Sequence, residues 1–84
     1  MKMPEGICVT ARILDDETYD AIASGEMRRW ERIADDFWHE KFDGRNVTAI
    51  RFIKGMTDIE MTWEVTDVLL DEGIYFVTLG KRLA

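Results

Sequence analysis

Apolar and polar residues alternate most cleanly over 59–66, with Ile59, Met61, Trp63 and Val65 on one side and Glu60, Thr62, Glu64 and Thr66 on the other. A period of two is the pattern of a half-buried strand. Val68-Leu69-Leu70 extends it, Asp71-Glu72-Gly73 predicts a hairpin loop, and residues 74–79 form the returning strand. Gly80-Lys81-Arg82 then reads as a charged tail. Upstream, residues 47–53 place Val47, Ala49, Arg51 and Ile53 on one face and Thr48, Ile50 and Phe52 on the other. Apolar residues on both faces predict a central strand. It is bounded by the turn Asp43-Gly44-Arg45-Asn46 and by Gly55. Residues 7–13 are rich in β-branched side chains and predict a first strand.

Helical spacing appears between these strands. Asp15-Asp16 offers an N-cap, with Glu17 and Asp20 in the first turns, where the helix dipole favours acids. Tyr19, Ile22 and Ala23 make one apolar face, and Ser24-Gly25 ends the helix. The next stretch supports two descriptions. Met27, Trp30, Ala34, Phe37, Trp38 and Phe42 recur every three or four residues, as in one continuous amphipathic helix. A strand over 27–33 followed by a short helix from about Asp35 also accommodates them. Either way, about five strands and one or two short helices make an α+β fold. A sheet with this many apolar positions and so little helix to cover it is expected to close into a small, mixed, mostly antiparallel β-barrel.

Composition narrows the picture. Eighty-four residues with 46% hydrophobic content make one domain, 1–84, with a real core. The one cysteine, Cys8, sits in the first strand and reads as a small buried hydrophobe. No Cys/His spacing suggests zinc. Asp36 and Glu40 are one helical turn apart, but Asp35, Asp36, Glu40 and Asp43 fit a solvated face better than a hard-cation site. No metal and no cofactor is expected. The start, Met1-Lys2-Met3-Pro4-Glu5-Gly6, has no apolar leader region, and no apolar run approaches the ~20 residues that span a bilayer. A cytoplasmic setting without membrane contact follows, in a bacterial or phage-infected cell.

The net charge of -6 is uneven: -4 over 1–27, +2 over 28–54 and -4 over 55–84. A phosphate-neutralising protein normally has a basic surplus. Any nucleic-acid contact is therefore expected in the middle third. There Arg28, Arg29 and Arg32 cluster with Trp30 and Trp38, and Arg51 follows. Arginine clamps phosphate or carboxylate and an indole stacks on a base. The same residues also fit a simpler description, with both tryptophans in the core and the arginines on a solvated face beside Glu31, Asp35 and Asp36. Met27 fits the core or a cleft floor. His39, the sole histidine, and Glu31 are the candidates for acid–base work.

Tyr19-Asp20-Ala21-Ile22-Ala23-Ser24-Gly25-Glu26 resembles the F-x-x-I-x-x-G-x-K opening motif of ASCH domains, members of the PUA-like superfamily of small β-barrels. Short ASCH-like proteins of phages and prophages are the most similar. Ile22, Gly25, Arg32, Trp38, Arg51-Phe52, Gly55, Met61 and Leu79-Gly80 fall in the order of that pattern, across residues 7–82. The resemblance implies a PUA-like barrel and favours the strand-then-helix description of 27–42. It also implies a cleft. The lysine of the family's catalytic set is Met27 here, and the glutamate position is taken by Trp30, with Glu31 adjacent. A thioether is neither base nor nucleophile.

Three functions follow as expectations. The first is a binding module for RNA or a nucleotide or nucleoside, in a cleft formed by residues 25–38 and 51–55. Its ligand-binding residues are Arg28, Arg29, Trp30, Arg32, Trp38 and Arg51. The second is an acidic phage-encoded interaction protein of the anti-CRISPR or anti-restriction kind. It would use Glu60, Glu64 and Asp67 to block a basic host nucleic-acid-binding protein. The third is a nucleoside amidohydrolase or ribonuclease that relies on Glu31 and His39.

Overall fold

Strands alternate with helices through the first half of the chain and pair as hairpins through the second. A computed structural model describes residues 6–84. The stretch 1–5, read above for a leader region, lies outside the described residues. The element order is β1 (Ile7–Ile13), α1 (Asp16–Ser24), β2 (Arg29–Ile33), α2 (Asp36–Phe42), β3 (Val47–Lys54), β4 (Glu60–Asp71) and β5 (Ile74–Arg82). The fold is α+β: one five-stranded mixed sheet, mostly antiparallel, curled into a half-barrel, with two helices. The strand order is β1-β3-β4-β5-β2. Only β1 and β3 run parallel.

The caps explain where the helices start and stop. The Asp15 carboxylate accepts the Glu17 and Thr18 N–H groups and the Thr18 hydroxyl, satisfying donors that the first turn of α1 leaves free. The Thr18 hydroxyl bond, with help from these backbone bonds, holds the Asp15 carboxyl below the ordinary range. Gly25 ends α1 at φ 85, a left-handed conformation that costs glycine nothing. Asp35 repeats the device for α2, accepting the Trp38 N–H at 3.0 Å. This cap lies inside the stretch whose spacing fits a single helix, and it divides that stretch into β2 and α2.

Alternation builds the core. Val9, Ala11 and Ile13 of β1, Ile50 and Phe52 of β3, Met61, Trp63 and Val65 of β4, and Tyr75, Val77 and Leu79 of β5 all face inward. Tyr19 and Ile22 from α1, Trp30 from β2 and Phe42 from α2 complete one cluster. Each of the larger side chains contributes about 1.5–3 kcal/mol by leaving water.

The expected barrel takes the form of a half-barrel, with β1 and β2 as its two edges, which do not pair. Several finer expectations need correction. Ile59 is 56% exposed and precedes β4, so the inward set of that strand begins at Met61. Cys8 is exposed, because its position in β1 alternates with the inward Val9 and Ala11. Val47 is buried despite its parity with exposed Arg51, because the β1–β3 register shifts beside it. Gly80-Lys81-Arg82 belongs to β5. Arg82 pairs with Trp63, and Leu83 donates to the Thr62 carbonyl, so the chain end supplies the start of β4 with its second neighbour.

The β4–β5 connection is a two-residue turn with φ 48 at Glu72 and φ 77 at Gly73. Positive φ at both positions is the type I′ geometry, which favours Asn-Gly. Glu72→Asn is expected to stabilise the fold by roughly 0.5–1 kcal/mol, raising the melting midpoint by roughly 2–6 °C in a thermal scan. An unchanged midpoint would show that the turn carries no strain to relieve.

Candidate functional site

Strand parity decides where the arginines of the middle third go. In β2, Trp30 and Arg32 share the inner face, while Arg29, Glu31 and Ile33 point outward. The Arg32 guanidinium lies over the Trp30 indole, 4.5 Å from its centroid, and donates to the Glu31 carbonyl at 3.2 Å. Arg29 lies over Phe76 on the outer face, at 4.9 Å. Arg28 donates to the Gly80 carbonyl at 3.0 Å. Arg51 leaves the outer face of β3, 3.9 Å from the Glu60 carboxylate. These four arginines do not converge on one cleft.

Residues 51–55 and 25–38 likewise form no common cleft. Arg51 and Ile53 pair with Thr62 and Glu60 at the start of β4. Ile33 pairs with Ile74, which pairs with Asp71 at the end of β4. The two segments meet in the core, where Phe52 packs edge-on against Trp30 at 5.3 Å, but the groove beside β2 takes no residue of 51–55.

Trp30 is 1% exposed. Trp38 and Phe52 meet it edge-on at 5.2 and 5.3 Å, and Arg32 covers its face. An indole enclosed in this way has no free face for a base, so Trp30 is a core residue. Trp38 is half-buried, stacked on Phe42 at 5.6 Å and edge-on to Phe37 at 4.9 Å. It lines a groove of about 430 Å³ between β2 and the start of α2, together with Glu31, Arg32, Ile33, Asp35 and Ile74. Of the six arginine and tryptophan residues singled out in the sequence, this groove gathers two, Arg32 and Trp38.

Arg32 is the unusual group in it. Burial lowers its pKa from the ordinary guanidinium value, and among the described residues no carboxylate lies within ion-pairing distance. A guanidinium stays charged when partly buried. Here it has given up water without gaining a counter-ion.

The acid–base candidates are apart. Glu31 projects from the outer face of β2. His39 projects from α2 toward the inner face, with its Nδ1 2.7 Å from the Tyr75 hydroxyl. Burial raises the Tyr75 pKa, and nearby Asp43 adds to the effect. Sequence reasoning passed over Tyr75, Ile33 and Ile74, because each reads as an ordinary strand residue and only the register brings it to its place. Glu60, Glu64 and Asp67 all leave the outer face of β4. Glu60 meets Arg51, and the end of the Glu64 side chain lies over Gly80. Among the described residues no three His, Cys, Asp or Glu side chains converge as metal ligands. No described helix is long and apolar enough to cross a membrane. Comparison with known proteins finds no matching family model, no matching curated protein and no matching solved structure.

Proposed function

We propose that the chain is a small binding module whose groove beside β2 takes a nucleotide, with Arg32 on its phosphate and Trp38 against its base. The observation that carries this is Arg32, a partly desolvated guanidinium with no carboxylate partner, lining the same groove as a half-exposed indole. A bidentate phosphate would supply the missing counter-charge. The ASCH-like order of Ile22, Gly25, Arg32 and Trp38 supports the same reading.

The groove favours a mononucleotide over an RNA strand. Polynucleotide binding draws on several phosphate contacts at once. One unpaired arginine supports one phosphate, and Glu31 and Asp35 beside it oppose a second.

Titration of tryptophan fluorescence at low salt with nucleoside monophosphates tests the reading. Saturable binding is expected. Nucleosides without phosphate and inorganic phosphate without a base should each bind at least about tenfold more weakly, since each lacks one of the two contacts. If no nucleoside monophosphate saturates the signal at millimolar concentration, or if an RNA oligomer binds while monophosphates do not, the reading fails.

A further inference from the structure

Three neighbouring strands, β2, β5 and β4, present their outward side chains as a grid. The register sets Ile33 beside Ile74 and Ile74 beside Asp71. The next row is Glu31, Phe76 and Leu69, and the third is Arg29, Thr78 and Asp67. These positions alternate with inward Trp30, Tyr75 and Val77, so all point away from the core. Four of them are large and apolar and lie side by side. Ile33 is 74% exposed and Leu69 53%, while Ile74 and Phe76 are half-buried. The helices give this face no cover, since Tyr19, Ile22, Trp38 and Phe42 all pack against the inner cluster.

The outer face of an antiparallel sheet is ordinarily polar. A contiguous apolar patch on it marks an interaction surface. Its rim is acidic. Glu31, Asp67 and Asp71, with Glu72 at the turn, make no ion pair among the described residues. The one base in the grid, Arg29, is held over Phe76.

We propose that this face docks a protein partner through one basic amphipathic helix. Its apolar side chains would cover Ile33, Leu69, Ile74 and Phe76, and its lysines or arginines would meet Asp67, Asp71 and Glu31. Size fits this occupant. Three strands and five residue positions span roughly 10 by 14 Å, the width and about two to three turns of one helix. Charge fits it too. A second copy of the chain would bring the same acids against these, and an anionic lipid surface would be repelled by them. The Arg32 side chain leaves the opposite face of the sheet, but Glu31, Ile33 and Ile74 also border the groove, so the peptide test is run without nucleotide.

The test uses a fluorescent synthetic helix with leucines at i, i+3, i+4 and i+7, flanked by lysines. Controls are a scramble of equal composition and a version with glutamate for lysine. Saturable anisotropy change is expected for the basic amphipathic peptide, with binding at least about tenfold weaker for both controls. Leu69→Asp, and separately Asp67→Lys with Asp71→Lys, should each weaken it at least about tenfold. Arg51→Met, outside both the grid and the groove, should leave it unchanged. All these sites are exposed or half-buried, and a circular dichroism melt verifies that each variant folds. Equal binding of the scramble, full binding by Leu69→Asp, or loss of binding in Arg51→Met overturns the proposal. So does self-association in sedimentation that Leu69→Asp abolishes, because the occupant would then be a second copy.

Discussion

Trp30→Ala is expected to cost roughly 3–5 kcal/mol of folding stability, enough to leave much of the chain unfolded at ambient temperature. The indole is 1% exposed and touches Trp38, Phe52 and Arg32, so its removal leaves a large cavity that three groups border from different elements. A domain of 84 residues has a total stability of about 4–12 kcal/mol, so this one side chain accounts for a large share. Urea denaturation followed by circular dichroism measures the loss. Trp30→Phe should recover part of it, since a smaller ring still fills some of the space. A loss under about 1 kcal/mol for Trp30→Ala would mean that the indole is dispensable to the core, and a ligand-facing role would return.

The placement of Trp30 also shows what the sequence made legible and what it did not. Caps and alternation carried most of the fold: Asp15 and Gly25 bound α1, and Met61, Trp63 and Val65 line the inner face of β4. The middle stretch resisted, because Met27, Trp30, Ala34, Phe37, Trp38 and Phe42 satisfy helical spacing, yet all but the exposed Phe37 are also packed on or beside the core as a strand followed by a helix. Periodicity does not separate these cases. The choice matters for the site. On a helix, Arg28, Arg29 and Arg32 would share one face, whereas a strand sends Arg29 outward and Arg32 inward.

The outer-face grid was hidden for a related reason. Continued strict alternation from Met61, Trp63 and Val65 would turn Asp67 and Leu69 into the core. Register shifts between Trp63 and Val65 and between Val65 and Asp67 break that parity, leaving Val68 against the core and Leu69 in solvent. A bulge adds one residue to one strand and leaves no reliable mark in composition. The same holds for the groove. Its edges come from two strands and a helix, and only the β2–β5 register shows that Ile74 lies beside Ile33.

Arg32→Met is expected to separate stability from binding more sharply than any other single change. Methionine keeps an unbranched apolar stem over Trp30 and removes a charge that was partly desolvated without a counter-ion. The unfolding free energy should therefore change by no more than about 1 kcal/mol, in the stabilising direction. Nucleotide binding should fall about 10- to 100-fold, the worth of a charge-assisted hydrogen bond of about 1.5–3 kcal/mol. Arg32→Lys should recover only part of this, because an ammonium lacks the planar two-pronged geometry. Arg51→Met, on the outer face of β3 and outside the groove, should leave binding intact. The combination of unfolding curves and titrations is decisive. If Arg32→Met destabilises the protein by several kcal/mol, the guanidinium is a structural lid on Trp30. If stability holds and binding also holds, the phosphate lies elsewhere. Only preserved stability with lost binding fits a side chain kept charged, unpaired and partly out of water for the sake of an anion that arrives from outside.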